Sequence, residues 1–177
     1  MFSIILSAIY FILPAYVANM CPVFSAKLNF PLGTAISERW LGANKTWRGF
    51  YAGYLGALVV LYVQYLLFVK NIAQSFSLLD YGEINIFLFA FLFGVGALVG
   101  DATKSFFKRR LNKKPGSPWF PFDQIDLVVG AVLFVYPFFQ LSAVYILVLL
   151  LITPLLHFLT NLIGYSLKLK DVWRSEE

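Results

Sequence analysis

The sequence predicts an all-α, polytopic membrane protein: a single integral domain over residues 1–177 with five transmembrane helices. Three observations predict it. Hydrophobic residues make up 60% of the chain and aromatic residues 19%, while only 13% are charged, against about 25% in a soluble domain. Apolar runs long enough to cross a bilayer, about 20 residues each, recur along the chain. The charges are segregated: with five spans, thirteen of the fourteen Lys and Arg residues fall on one side.

The first span, roughly 2–19, begins at Phe2 with no basic segment before it and no Ala-x-Ala site after it, so it reads as a retained span rather than a cleaved leader. The second, roughly 50–69, is entered through Gly49, Gly53 and Gly56, a stripe of small residues at helical spacing. The third, roughly 84–100, ends in Gly94-x-Gly96-x-x-x-Gly100. Both glycine sets predict close helix contacts. Gly94-x-Gly96 lacks the third glycine of a dinucleotide-binding loop and lies within an apolar run, which sets that reading aside. The stretch 125–165 is too long for one span and divides into 125–140 and 143–165, with a tight turn near Gln140-Leu141-Ser142. Pro137 loosens the end of the fourth span, and Pro154 is placed to kink the fifth.

The basic residues set the orientation. Loop 20–49 carries Lys27, Arg39, Lys45 and Arg48; loop 101–124 carries Lys104, Lys108, Arg109, Arg110, Lys113 and Lys114; the tail carries Lys168, Lys170 and Arg174. Lys70 alone lies opposite. The positive-inside rule puts these loops and the C-terminus in the cytoplasm and the N-terminus outside. The expected location is the cell membrane, multi-pass, with the charged loops facing the cytoplasm. The single cysteine, Cys21, rules out an internal disulfide and a cysteine-only metal cage.

Acids interrupt the basic segment at Asp101, Asp123 and Asp126. Asp123 and Asp126 are three apart, so a helix begun there puts both carboxylates on one face. A helix N-terminus favours their charge, yet neighbouring carboxylates repel until one protonates or a cation joins them. Asp101 closes the third span, where the helix dipole disfavours an anion. A shared metal compensates all three, and oxygen ligands beside phosphate suit Mg²⁺. The simpler alternative pairs Asp101 with Lys104 or Lys108 and leaves Asp123 or Asp126 as a helix cap.

The basic run has its own simple reading, since each base gains about 1 kcal/mol beside anionic lipid. The interleaved serine and acids point further. Continued as a helix, Asp101, Ser105, Lys108 and Arg109 share a face, offering a metal ligand, a hydroxyl and two phosphate-binding cations. Such a set suggests phosphoryl or nucleotidyl transfer at a membrane surface. Asn44, Lys45, Thr46 and Trp47 precede the second span on the same side and read equally as nucleotide contacts or as a helix cap with interfacial anchors. Thr153, His157 and Asn161 form a polar stripe in the fifth span that should face the bundle; His157 reads as an interior residue or as a contact near a head group. There is no serine–histidine–acid set, zinc spacing or Walker loop.

Ser105-x-x-Lys108-Arg109, then Lys114, then Asp123-x-x-Asp126 resembles the signature of the phosphatidate cytidylyltransferase superfamily. Gly100-Asp101 and Asn44-Lys45-Thr46-Trp47-x-Gly49 fit it as well, and the short length and the Pro-Phe-Asp-Gln-Ile-Asp wording are most similar to its archaeal branch, the CDP-archaeol synthases. The chain departs from the bacterial pattern in having Pro115-Gly116-Ser117-Pro118 in place of a His-Gly-Gly loop, and in lacking an acid after the second lysine.

The resemblance implies that CTP and 2,3-di-O-geranylgeranylglyceryl phosphate, an isoprenoid ether lipid phosphate, give CDP-archaeol and pyrophosphate. It implies one or two Mg²⁺ ions on Asp101, Asp123 and Asp126. Lys104, Lys108, Arg109 and Lys114 would attend the phosphates, and Ser105, Asn44, Lys45 and Thr46 the nucleotide. The partners are then CTP, the lipid phosphate and the bilayer, with no nucleic acid. A CDP-alcohol phosphotransferase is the neighbouring enzyme class, but it needs a longer run of four aspartates. A cation-binding scaffold or ion-conducting protein is the non-enzymatic alternative.

Overall fold

A computed structural model describes residues 2–113, 117 and 119–166, with side chains described for 3–113, 117, 119–156 and 158. Lys114, the side chains of His157 and Asn161, and the basic tail lie outside the described residues. The helices are α1 (Phe2–Lys27), α2 (Glu38–Leu41), α3 (Trp47–Val69), α4 (Ile86–Arg110), α5 (Phe122–Val135) and α6 (Ala143–Ser166). Among the described residues there is no named strand, only an isolated antiparallel bridge between Ala35 and Thr46.

Among the described residues, three helices are long and apolar enough to cross a membrane: Ser3–Lys27, Trp47–Val69 and Ile86–Arg110. With its apolar outer faces, the all-helical chain is membrane-embedded. Leu55, Val59 and Leu66 on α3 and Leu147, Leu151 and Leu155 on α6 remain exposed, as lipid-facing side chains should.

Each apolar run matches a helix, but several ends move. The first helix runs to Lys27, eight residues past its predicted end at 19, passing through Pro14 and Pro22. The third continues ten residues beyond its apolar run, to Arg110. At 1.5 Å per residue, α4 is roughly 37 Å long, more than the ~30 Å hydrocarbon layer, so its charged last turns project beyond it. The fourth begins at Phe122, not 125, and stops at Val135, not 140. Pro137 has no N–H to continue the helical ladder, so the helix ends just before it, although Tyr136 still has helical dihedrals (φ −53°, ψ −38°).

Backbone contacts fix the bundle. A methyl on Gly100 would collide with the carbonyl oxygen of Asp126, and one on Gly130 with the carbonyl oxygen of Gly96. The crossing of α4 and α5 is therefore glycine against backbone. Gly94 faces α3, where an added Cβ would lie 3.1 Å from the Gly53 carbonyl oxygen. The predicted glycine stripes are thus helix contacts. Around them Phe11, Phe93, Ile12, Leu61, Val128 and Leu149 are fully buried, with Phe11 and Phe93 edge to face at 5.1 Å.

Pro14 leaves the Tyr10 carbonyl without its usual helical donor. Gln64 on α3 supplies one: its Nε2 donates to that carbonyl at 2.6 Å, and the side chain is 2% exposed. Thr153 lies buried, as its stripe predicts, 2.6 Å from the Leu149 carbonyl and 2.7 Å from the Tyr16 hydroxyl.

Candidate active site

The site forms where the last turns of α4 meet the first turn of α5. The Gly100–Gly130 crossing brings the helices close enough for short side chains to meet across them. Lys104 stands at the centre. Its ammonium lies 3.0 Å from Asp101 Oδ1, 3.2 Å from Asp123 Oδ1 and 2.6 Å from Asp126 Oδ2. Lys45 reaches in from the segment before α3 and pairs with Asp101. Lys108 pairs with Asp123, at 2.7 Å from Oδ1 and 2.9 Å from Oδ2. Three lysines therefore balance three aspartates.

The approach of Lys45 is built locally. Ile36 N donates to the Lys45 carbonyl at 2.7 Å, Trp47 N to the Thr34 carbonyl at 3.2 Å, and Arg48 N to the Leu32 carbonyl at 2.9 Å. This short antiparallel pairing ties the segment ahead of α3 to residues 32–36. Thr46 then caps α3 by accepting from Gly49 N at 3.3 Å.

Lys108 is 7% exposed, and its ammonium also donates to the Ser117 carbonyl at 2.6 Å. Two of its three protons are thus given to Asp123 Oδ2 and the loop before α5. Trp119 N donates to Asp123 Oδ2 as well. Burial alone would raise the Asp123 carboxyl, but the Lys108 hydrogen bond, the Lys104 charge and the Trp119 N–H together hold it below the usual carboxylate range. Asp123 is therefore ionised at neutral pH.

The metal reading meets this arrangement in two ways. Among the described residues no three acidic, histidine or cysteine side chains converge closely enough to hold an ion by themselves, because Lys104 stands between the aspartates. Yet Asp123 Oδ1 and Asp126 Oδ2 are buried oxygens at ion-pair distance from an ammonium, with no directed hydrogen bond. Hard oxygen donors with unserved lone pairs fit a divalent cation.

Two openings flank the cluster. A groove of about 410 Å³ between α4 and α5 is lined by Thr103, Phe107, Trp119, Phe122, Val129 and Leu133, with Lys104 and Asp126 at its head. A pocket of about 500 Å³ on the other side is lined by Asn19, Lys27, Asn44, Lys45, Thr46 and Asp101. The acids thus separate an apolar space from a mixed one, whose wall also includes Pro22, Val23, Phe50 and Leu98.

The other predicted residues fall differently. Ser105 Oγ donates to the Asp101 carbonyl at 2.9 Å, so its proton is engaged within the helix. Arg109 makes no ion pair with the three acids and lines a separate pocket against α2. Lys104 stands nearer the acids than its predicted part as a phosphate ligand required.

Comparison with known proteins adds a family. The profile described as CarS-like, CDP-archaeol synthase, matches residues 1–174. A CDP-archaeol synthase of Pyrococcus furiosus is 36% identical over 95% of this chain and 97% of its own length. One from Methanocaldococcus jannaschii is 37% identical over 97% and 98%. A solved structure of an intramembrane enzyme for archaeal membrane lipids biosynthesis shares the fold, with a TM-score of 0.70 and 24% identity over 88% of this chain and 92% of that one.

Proposed function

The chain belongs to the CDP-archaeol synthase family, and on that premise we propose that the acid cluster is where a lipid phosphate and CTP react. The protein is a CTP-dependent cytidylyltransferase of archaeal membrane lipid synthesis. The observation that carries the site assignment is the placement of Asp101, Asp123 and Asp126 on one buried cluster between an apolar groove and a mixed pocket.

The groove suits the chains of 2,3-di-O-geranylgeranylglyceryl phosphate, with its phosphate beside Lys104. The pocket suits CTP, with Asn44 and Lys45 as the polar contacts and Thr46 at its wall. A lipid phosphate oxygen attacks the α-phosphorus of CTP in line. The bond from the α-phosphorus to the bridging oxygen breaks, and pyrophosphate leaves with that bond's electrons. A phosphate monoester has a second pKa near 6, so it is mostly dianionic at neutral pH and needs no general base. Positioning and charge neutralisation supply the catalysis.

Asp101, Asp123 and Asp126 would hold one or two Mg²⁺ ions, which when bound neutralise triphosphate charge. Lys104 and Lys45, which each pair with an acid of the cluster and line one of the two openings, meet phosphates directly. Lys108 holds Asp123 in place. Lys114 is assigned to the leaving phosphates on the resemblance alone. Five crossings, with the site at the cytoplasmic face, follow from the distribution of basic residues.

Purified protein given CTP, the lipid phosphate and Mg²⁺ should release pyrophosphate, and Asp126→Asn should lower turnover by about 10²–10³. Metal-independent release, or full activity in Asp126→Asn, would overturn the assignment.

A further inference from the structure

A second charged cluster stands apart from the aspartates. Arg39, Trp40, Phe106, Arg109 and Arg110 line a pocket of about 170 Å³ between α2 and the last turn of α4. Trp40 and Phe106 stack at 5.7 Å with 23° between their planes. The Arg110 guanidinium lies 4.5 Å from the Trp40 ring centroid and 5.3 Å from that of Phe106, and the Arg39 guanidinium 5.4 Å from Trp40.

We propose that this pocket is a phosphate-binding site separate from the acid cluster. The aromatic rings engage the guanidinium faces, which leaves the N–H edges for a ligand. Among the described residues none of the three arginines pairs with a carboxylate; every ion pair of the region belongs to a lysine. Arg109 Nε is buried with no hydrogen-bond partner, a donor whose desolvation is left uncompensated. A helix C-terminus attracts bases, which accounts for Arg109 and Arg110. It does not account for Arg39, which converges on them from α2.

The size limits the ligand. At about 30 Å³ per water, the pocket holds five or six water volumes, enough for one or two phosphate groups and too little for a nucleoside with its triphosphate. The tetrahedral oxygens of phosphate match guanidinium forks. Such a group is available as the headgroup phosphate of a membrane lipid or as free pyrophosphate. Either would tie α2 to α4 and steady the segment that carries Asn44, Lys45 and Thr46 to Asp101. The proposal holds whether or not the acid cluster transfers cytidylyl groups.

The test uses the full chain in neutral detergent, without CTP or Mg²⁺. Pyrophosphate binding is read by calorimetry, and retention of added phosphatidylglycerol by native mass spectrometry. The native protein should bind one of the two probes, and which one identifies the source. The double variant Arg39→Gln, Arg110→Gln should weaken that binding at least tenfold, and Asp126→Asn should leave it intact. Arg39→Lys, which keeps the charge, provides a milder variant should the double one unfold; it should weaken binding less than Arg39→Gln. Unchanged binding in the glutamine variants, loss of binding in Asp126→Asn, or no binding of either probe to the native protein would each refute the site.

Discussion

Gly100→Ala tests whether the glycine crossing of α4 and α5 sets the geometry of catalysis. The new methyl would fall on the carbonyl oxygen of Asp126 and 3.1 Å from the Cα of Gly130. Both obstacles are backbone, so no side chain can rotate away. Relief requires the helices to part by roughly an ångström, since a packed interior offers no slack. Overpacking of this kind costs about 1–3 kcal/mol, offset by up to about 1 kcal/mol of helix propensity. The loss in stability is therefore modest. The effect on turnover is larger, because the residue struck carries one of the acids and Lys104 rides on the opposite helix. An ångström of misplacement costs about 10²-fold, or about 2.7 kcal/mol of activation free energy. Gly56→Ala is the control: its methyl would meet the Cys21 sulfur, the end of a side chain on α1 that can turn aside. Thermal unfolding in detergent and pyrophosphate release, measured on both variants, separate the two effects. Equal loss of activity in Gly100→Ala and Gly56→Ala, or near-native turnover in Gly100→Ala, would refute the reasoning.

Lys108→Gln strips Asp123 of its bonded lysine and removes the lysine's hydrogen bond to the Ser117 carbonyl. Breaking a buried ion pair costs about 3–5 kcal/mol, so both the melting temperature and turnover should fall, whereas Lys113→Gln should be mild; equal effects would favour simple anchoring by the basic segment. Gln64→Leu leaves the Tyr10 carbonyl unserved beside Pro14 and should cost about 1 kcal/mol by denaturation, with KM for CTP unchanged; a shift in that KM would mean that Gln64 reaches the site. Chelation by EDTA should stop turnover but leave the melting temperature nearly unchanged, because lysines already balance the acids; a large drop would show a structural metal. In a Cys21→Ser background, cysteines at positions 142 and 175 should fall on opposite sides of the membrane, with an impermeant thiol reagent added outside labelling only 142; labelling of both would end the five-span reading.

The Asp123–Asp126 pair, the glycine contacts and the polar face of Thr153 were legible because each follows from spacing along one helix, whereas Asp101 joins the pair from α4. The misplacement of Arg109 follows from the same geometry read too coarsely. At about 100° per residue, Lys108 lies about 20° from Asp101 around α4, on the side of Lys104, while Arg109 lies about 80° away on the other side. That rotation sends Lys108 to α5 and Arg109 to α2. Lys104 at the centre of the acids needed knowledge of how α5 registers against α4, which no single helix contains. The pairing of Asp101 with Lys104 could have been seen at i,i+3, and the simpler reading did see it. The run of α1 past Pro22 to Lys27 was hidden because proline normally marks an end, whereas inside a bundle neighbouring helices can serve the freed carbonyls. The service that Gln64 gives to Tyr10 lies in such a partner helix, 54 residues away.

The groove between α4 and α5 has walls that include exposed Phe107, Phe122 and Leu133, so it opens on the lipid-facing surface. A substrate held there need never leave the bilayer, and neither need its product. The concentration that governs the rate is then the mole fraction of lipid phosphate within the membrane, not its amount per litre. Diluting the vesicles should leave turnover at saturating CTP unaltered, while diluting the substrate with inert lipid at constant vesicle number should lower it. Supply is two-dimensional, and the enzyme competes with every other protein that draws on the same leaflet.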